Sequence, residues 1–188
     1  MGNIDRLIDA HFHKKPGERV EVLKERYERI SVFHKDPLTA ALLATSYYGM
    51  EELTMRLPRL NDILRNPFAK EEQLHAITGL ILVADGGPAE GAKAIQLSMA
   101  LSPLGVDTEN TKTSHLMALI AIACKQIHPF VREMEKAMQK GLSFENFAMN
   151  WLKEEQKRQE ISAEETDIAY SLLVGMKEEV ETVFDEEL

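Results

Sequence analysis

The side chains able to do acid-base or metal chemistry are few, and six histidines are the main source. Glu72-Gln-Leu-His75 spaces a carboxylate and an imidazole three residues apart, which on a helix puts both on one face. That is half of the motif used by di-iron sites in helical bundles. A complete site needs a second copy, and none of the other histidines has a glutamate three positions earlier. His11 and His13 flank Phe12, but residues two apart on a helix point about 200° away from each other and cannot share one metal. His115 stands at the start of an apolar segment, while His34 and His128 adjoin proline-marked boundaries, so capping or hydrogen bonding within a turn explains all three. No His-x-x-x-His, His-Glu-x-x-His, Gly-Lys-Ser/Thr, Ser-x-x-Lys or Gly-x-Ser-x-Gly pattern occurs. Ala84-Asp-Gly-Gly-Pro-Ala-Glu-Gly91 is rich in glycine, but it lacks the lysine and the strand of a phosphate loop and reads as a turn. The residues therefore call for no cofactor and no metal. One catalytic reading survives: Glu72, His75 and His115 could line a polar pocket near the N-termini of two helices, because active sites assemble from residues distant in sequence.

A second kind of chemistry is recognition. Phe144, Phe147 and Trp151 step by three and four, which gathers three large aromatics on one helix stripe in a chain with only 6% aromatics. Met138, with Met134 and Met149, adds thioethers that repack readily around varied ligands. The stripe can anchor a core or serve as a docking surface for a partner or a second subunit.

These residues must be positioned by helices. Apolar residues recur with helical spacing almost everywhere, and no period-two run rich in Val, Ile and Thr interrupts them. Across 18–35, Val20, Leu23, Tyr27, Ile30 and His34 form one stripe with charged residues opposite, an amphipathic surface helix bounded by Pro16-Gly17 and Pro37. A first helix is expected over residues 3–13. Breaks at Gly49, Pro67, Gly86-Gly87-Pro88, Pro103 to Gly105, Pro129 and Gly141 leave segments of ordinary helix length, about ten helices in all. Gly87-Pro88 suits an N-cap followed by proline at the first helical position, Gly141 suits a left-handed C-terminal cap, and Ser162-Ala-Glu-Glu165 is a capping box. Pro58 falls inside the pattern Leu53, Leu57, Leu60, Leu64 and predicts a kinked helix or two short ones. Leu74 to Ala84 and Leu116 to Cys124 have almost no polar face, so they are expected to be the central helices.

Four helix starts superpose: Leu38-Thr-Ala-Ala-Leu-Leu, Leu74-His-Ala-Ile-Thr-Gly, Leu116-Met-Ala-Leu-Ile-Ala and, less well, Ile168-Ala-Tyr-Ser-Leu-Leu. Each precedes a break and a more polar helix. This resembles degenerate helix-hairpin repeats, such as those of the armadillo and tetratricopeptide classes, without the signature of either. The expectation is an all-α fold of helix hairpins stacked as a short α-solenoid or an irregular bundle, forming a single domain over 1–188.

Composition narrows the function. With 188 residues, 44% hydrophobic and 28% charged, the chain can bury a core and is not of the disordered class. The net charge of -9 is uneven: residues 1–144 hold 18 cations and 18 carboxylates, and the acidic helical part 145–188 holds 4 and 13. An acidic surface repels nucleic acid, so a broad nucleic-acid footprint is disfavoured. The apolar run 116–124 is about half of what a membrane span needs. A single cysteine, Cys124, within that run reads as a structural thiol, and Met1 to Phe12 carries charges where a secretory leader would be apolar. Together these predict a cytoplasmic, non-catalytic helical-repeat module that binds or regulates a protein or peptide partner, with self-association as a further option.

Overall fold

The computed structural model describes residues 20–46 and 48–158. The expected helix over 3–13, the Ser162 capping box and the repeat start at Ile168 lie outside the described residues. Within them the fold is all-α, as the periodicity predicts. The helices are α1 (Val20–Ser31), α2 (Pro37–Thr45), α3 (Met50–Leu64), α4 (Glu71–Val83), α5 (Pro88–Leu101), α6 (Thr111–Ala123), α7 (Ile127–Gln139) and α8 (Phe144–Arg158), with a 3-10 turn at Ser102–Leu104. None of them is long and apolar enough to cross a membrane.

Sequence chemistry sets the boundaries. Asp36 is the N-cap of α2, and Pro37 follows at the first helical position, where its missing N–H costs nothing. Gly87 and Pro88 play the same parts for α5, and the Glu90 carboxylate accepts the Gly87 N–H at 2.8 Å. Asn110 caps α6 through the N–H groups of Lys112 and Thr113. Gly105 and Gly141 both take positive φ, 78° and 95°, just beyond helix ends. Of the two outcomes expected at Pro58, a kinked helix or two short ones, the second is excluded, since helix α3 is one continuous element. Pro58 and Thr54, whose carbonyl loses its partner to the proline, are both exposed, so water can serve that carbonyl. The helix of 18–35 ends at Ser31, so His34 belongs to the turn before α2 and not to the stripe of Tyr27 and Ile30.

Helices α2, α4 and α6 pack side by side, and α8 continues against α6. On the other side α3, α5 and α7 pack in turn, and the hairpin pairs α1 with α2, α3 with α4, α5 with α6 and α7 with α8 join the two rows. Position decides burial. Every residue from Gln73 to Leu82 in α4 and from Ser114 to Ala121 in α6 is buried, which is the coverage demanded by helices without a polar face. Leu38, Leu74 and Leu116, the superposable helix starts, all lie in the main core. A smaller core of Ile30, Leu43, Leu53, Leu57 and Leu82 ties α1 and α3 to α2.

Candidate functional site

The buried polar groups gather where α2, α4 and α6 meet. His34, Asp36, Thr39, His75 and His115 are all between 0% and 4% exposed. Polar groups so deep are costly unless bonded, and here the bonds form a chain. One carboxylate oxygen, Asp36 Oδ2, accepts the Thr39 N–H at 3.0 Å, the Thr39 hydroxyl at 2.7 Å and the His115 Nε2–H at 3.0 Å. Because the hydroxyl proton goes to Asp36, Thr39 Oγ1 must accept at its 2.6 Å contact with His34, so His34 carries its proton on Nε2. His34 Nδ1 is buried without a partner among the described residues. His75 stacks on His34, and its Nδ1 accepts the Lys35 N–H at 2.7 Å, which leaves its own proton on Nε2.

Electrostatics agree with this assignment. Burial, helped by the neighbouring His75, pushes His34 down to about 3, and burial also lowers His75. Burial alone would raise Asp36, but the hydrogen bonds from His115 and Thr39 outweigh it and bring the carboxyl to about 2. The result is one buried carboxylate beside neutral His34. Space for it comes from Gly79 on α4: a Cβ there would lie 2.5 Å from Thr39 Oγ1 and 2.7 Å from His34 Nε2.

The chemistry this arrangement can do is limited by its enclosure. The Thr39 hydroxyl donates to the Asp36 carboxylate and accepts from His34, but it is fully buried, so these contacts satisfy polar groups in the core and present no nucleophile at the surface. Among the described residues no group of three or more His, Cys, Asp or Glu side chains is arranged to hold a metal ion. Of the residues grouped from sequence, His75 and His115 do converge on this cluster, but Glu72 is exposed and makes no part of it. His115 does not cap its own helix; it reaches Asp36, seventy-nine residues away. The residues that sequence reasoning missed are Asp36, Thr39 and Gly79. Asp36-Pro37-Leu-Thr39 carries a visible signal, an N-cap aspartate followed by proline at the first helical position.

A different kind of site opens where the turn after α6 meets α7 and α8. It is a groove of about 500 Å³ lined by Cys124, Gln126, Pro129, Phe130, Glu133 and Trp151 among others. Phe130 forms its aromatic floor, edge-on to Trp151 at 5.1 Å and tilted against Phe147 at 5.4 Å. The sequence left Phe144, Phe147, Trp151 and Met138 as either core anchors or a docking surface. Phe144 is a core residue at 4% exposure, while Phe147, Trp151 and Met138 are half-buried against the core. Only Trp151 of the four lines the groove. Comparison of the chain with protein-family models, with curated proteins and with solved structures returns no match.

Proposed function

We propose that this chain is a non-catalytic helical module that binds a peptide segment of a protein partner in the groove between α7 and α8. The observation that carries the reading is the groove itself, in which the half-buried Trp151 ring stands beside the exposed carboxylate of Glu133 over a floor formed by the buried Phe130 ring. Rigid aromatics with a polar rim are the usual anchor of a recognition surface. The occupant that fits is a peptide with a bulky apolar side chain for the aromatic floor and a neighbouring basic residue for Glu133. The two rows of packed helices support the stacked-hairpin reading, in which rigid hairpins hold such a groove open. The enclosure of His75 and His115 and the exposure of Glu72 favour a structural role for that cluster over a ligand pocket.

Trp151 is the only tryptophan, so its emission reports occupancy of the groove. Peptides selected from a random library on the folded chain should shift that emission, and Glu133→Lys should weaken them at least tenfold. Selected peptides that leave Trp151 emission unchanged and bind the Glu133→Lys variant equally well would overturn the reading.

A further inference from the structure

Helix α7 and its C-cap carry exposed Arg132, Lys136 and Lys140 at four-residue spacing, and exposed Lys125 stands in the turn just before the helix. Like charges four apart on a helix repel by a few tenths of a kcal/mol. Elsewhere Arg56, Arg65, Lys70 and Lys112 are paired with carboxylates, while Arg29, Lys35, Arg59, Lys93 and Lys153 have no ion-pair partner among the described residues but are scattered over several elements. Among the described residues Lys125, Arg132, Lys136 and Lys140 have no ion-pair partner, although Glu133 and Glu135 sit on the same helix. The helix dipole accounts for cations in the last turn, but not for Lys125 before the first turn or Arg132 in the middle of the helix.

The chain supplies an occupant. Residues 159–188, outside the described part, hold ten carboxylates and one lysine, the whole of the net charge of -9. Their starting point is favourable. Helices α7 and α8 are joined by the short turn at Gly141 and run antiparallel, and the groove brings Glu155 of α8 beside Gln126 of α7. Arg158, where the described chain ends, is therefore at the Lys125 end of the basic face. Thirty residues span about 45 Å even when wholly helical, and α7 is only about 20 Å long.

From this charge complementarity and this geometry, we infer that the acidic segment 159–188 docks on the basic face of α7 of its own chain. Zero-length carbodiimide cross-linking of the full-length chain, read by mass spectrometry, tests this. At low salt, amide links should join Lys125, Lys136 and Lys140 to carboxylates between Glu160 and Glu187. They should fall at least fivefold in about 0.5 M salt, where the screening length is about 4 Å. The triple variant Arg132→Glu, Lys136→Glu, Lys140→Glu changes only exposed side chains, so helicity should be kept while links from Lys125 to the segment are lost. In a mixture of isotope-labelled and unlabelled chains every link should join peptides of one label. Links between labels would assign the face to a second copy's segment, and links to other lysines, or none, would sink the proposal outright.

Discussion

The His34 imidazole lies flat on that of His75, with ring centroids 4.9 Å apart and planes 13° from parallel. Two imidazoles so close repel when both are charged, and this stack is buried on the Asp36 side. Acid should therefore unfold the chain through these rings. In the unfolded state each imidazole returns to about 6.5, whereas in the fold His34 is held near 3 and His75 is lowered as well. The unfolded chain thus takes up protons first, so this stability is complete above about pH 6.5 and drains as pH falls from there toward 3. His34 alone contributes a slope of up to about 1.4 kcal/mol per pH unit. Asp36 adds a later loss, between about 3.8 and 2. Urea denaturation at pH 7.5, 6 and 5 should show falling midpoints, and a flat profile over that span would contradict the burial of a neutral His34.

Gly79→Ala tests the space in which the cluster sits. Alanine is favoured over glycine in a helix interior by about 1 kcal/mol, so propensity alone predicts a gain. Thr39 Oγ1 and Cβ, at 2.5 and 2.7 Å from the added carbon, cannot retreat without breaking the bonds to Asp36 and His34. We expect a net loss of about 1–3 kcal/mol. The comparison is Gly91→Ala, where the added methyl meets only the flexible end of Leu64 at 2.9 Å, and the penalty should be smaller.

Asp36→Ala should cost more than Asp36→Asn. Alanine removes the N-cap of α2 and leaves the Thr39 hydroxyl and His115 unsatisfied, a loss of about 2–4 kcal/mol in chemical denaturation. Asparagine keeps an acceptor for the Thr39 amide and should retain part of that stability. Equal losses would place the role of Asp36 in its charge, not in its capping geometry.

Cys124 should be slow toward thiol reagents although it borders the groove. Its Sγ donates to the Gln126 carbonyl at 2.8 Å, and burial pushes the thiol up. At pH 8 alkylation by iodoacetamide should run at least tenfold slower in the folded chain than in urea. A rate equal to that of the unfolded chain would show the thiolate to be readily formed.

The sequence made the helices readable and the cluster unreadable, for the same physical reason. Helices α4 and α6 lack a polar face, a local property that periodicity reports directly, and burial follows from it. The polar cluster is a relation among three segments. His34 and Asp36 looked like residues of a proline-marked boundary, which they are, and nothing local shows that Asp36 is also the acceptor for His115. Gly79 gave no signal, since a glycine within an apolar helix reads only as a small residue. The helical spacing of Phe144, Phe147 and Trp151 reported that they share a stripe, but not which of them is buried, since one stripe spans both the core at Phe144 and its rim at Trp151.

The turn after α4 has a bearing on the chemical durability of the backbone. Asp85, the only non-glycine residue at positive φ among those described, precedes Gly86, and an aspartyl-glycyl pair is the dipeptide in which a backbone nitrogen most readily attacks the preceding side-chain carboxyl. That attack closes a succinimide ring and scrambles the chain into isoaspartate. Here the Gly86 N–H is held by the Ile81 carbonyl at 2.8 Å, and Asp85 Oδ1 is held by the Tyr48 hydroxyl and by Arg56 at 3.2 Å. Nucleophile and electrophile are anchored to different parts of the molecule, so the native contacts slow the spontaneous ageing of this bond, and the folded molecule keeps its covalent identity longer than its own unfolded chain.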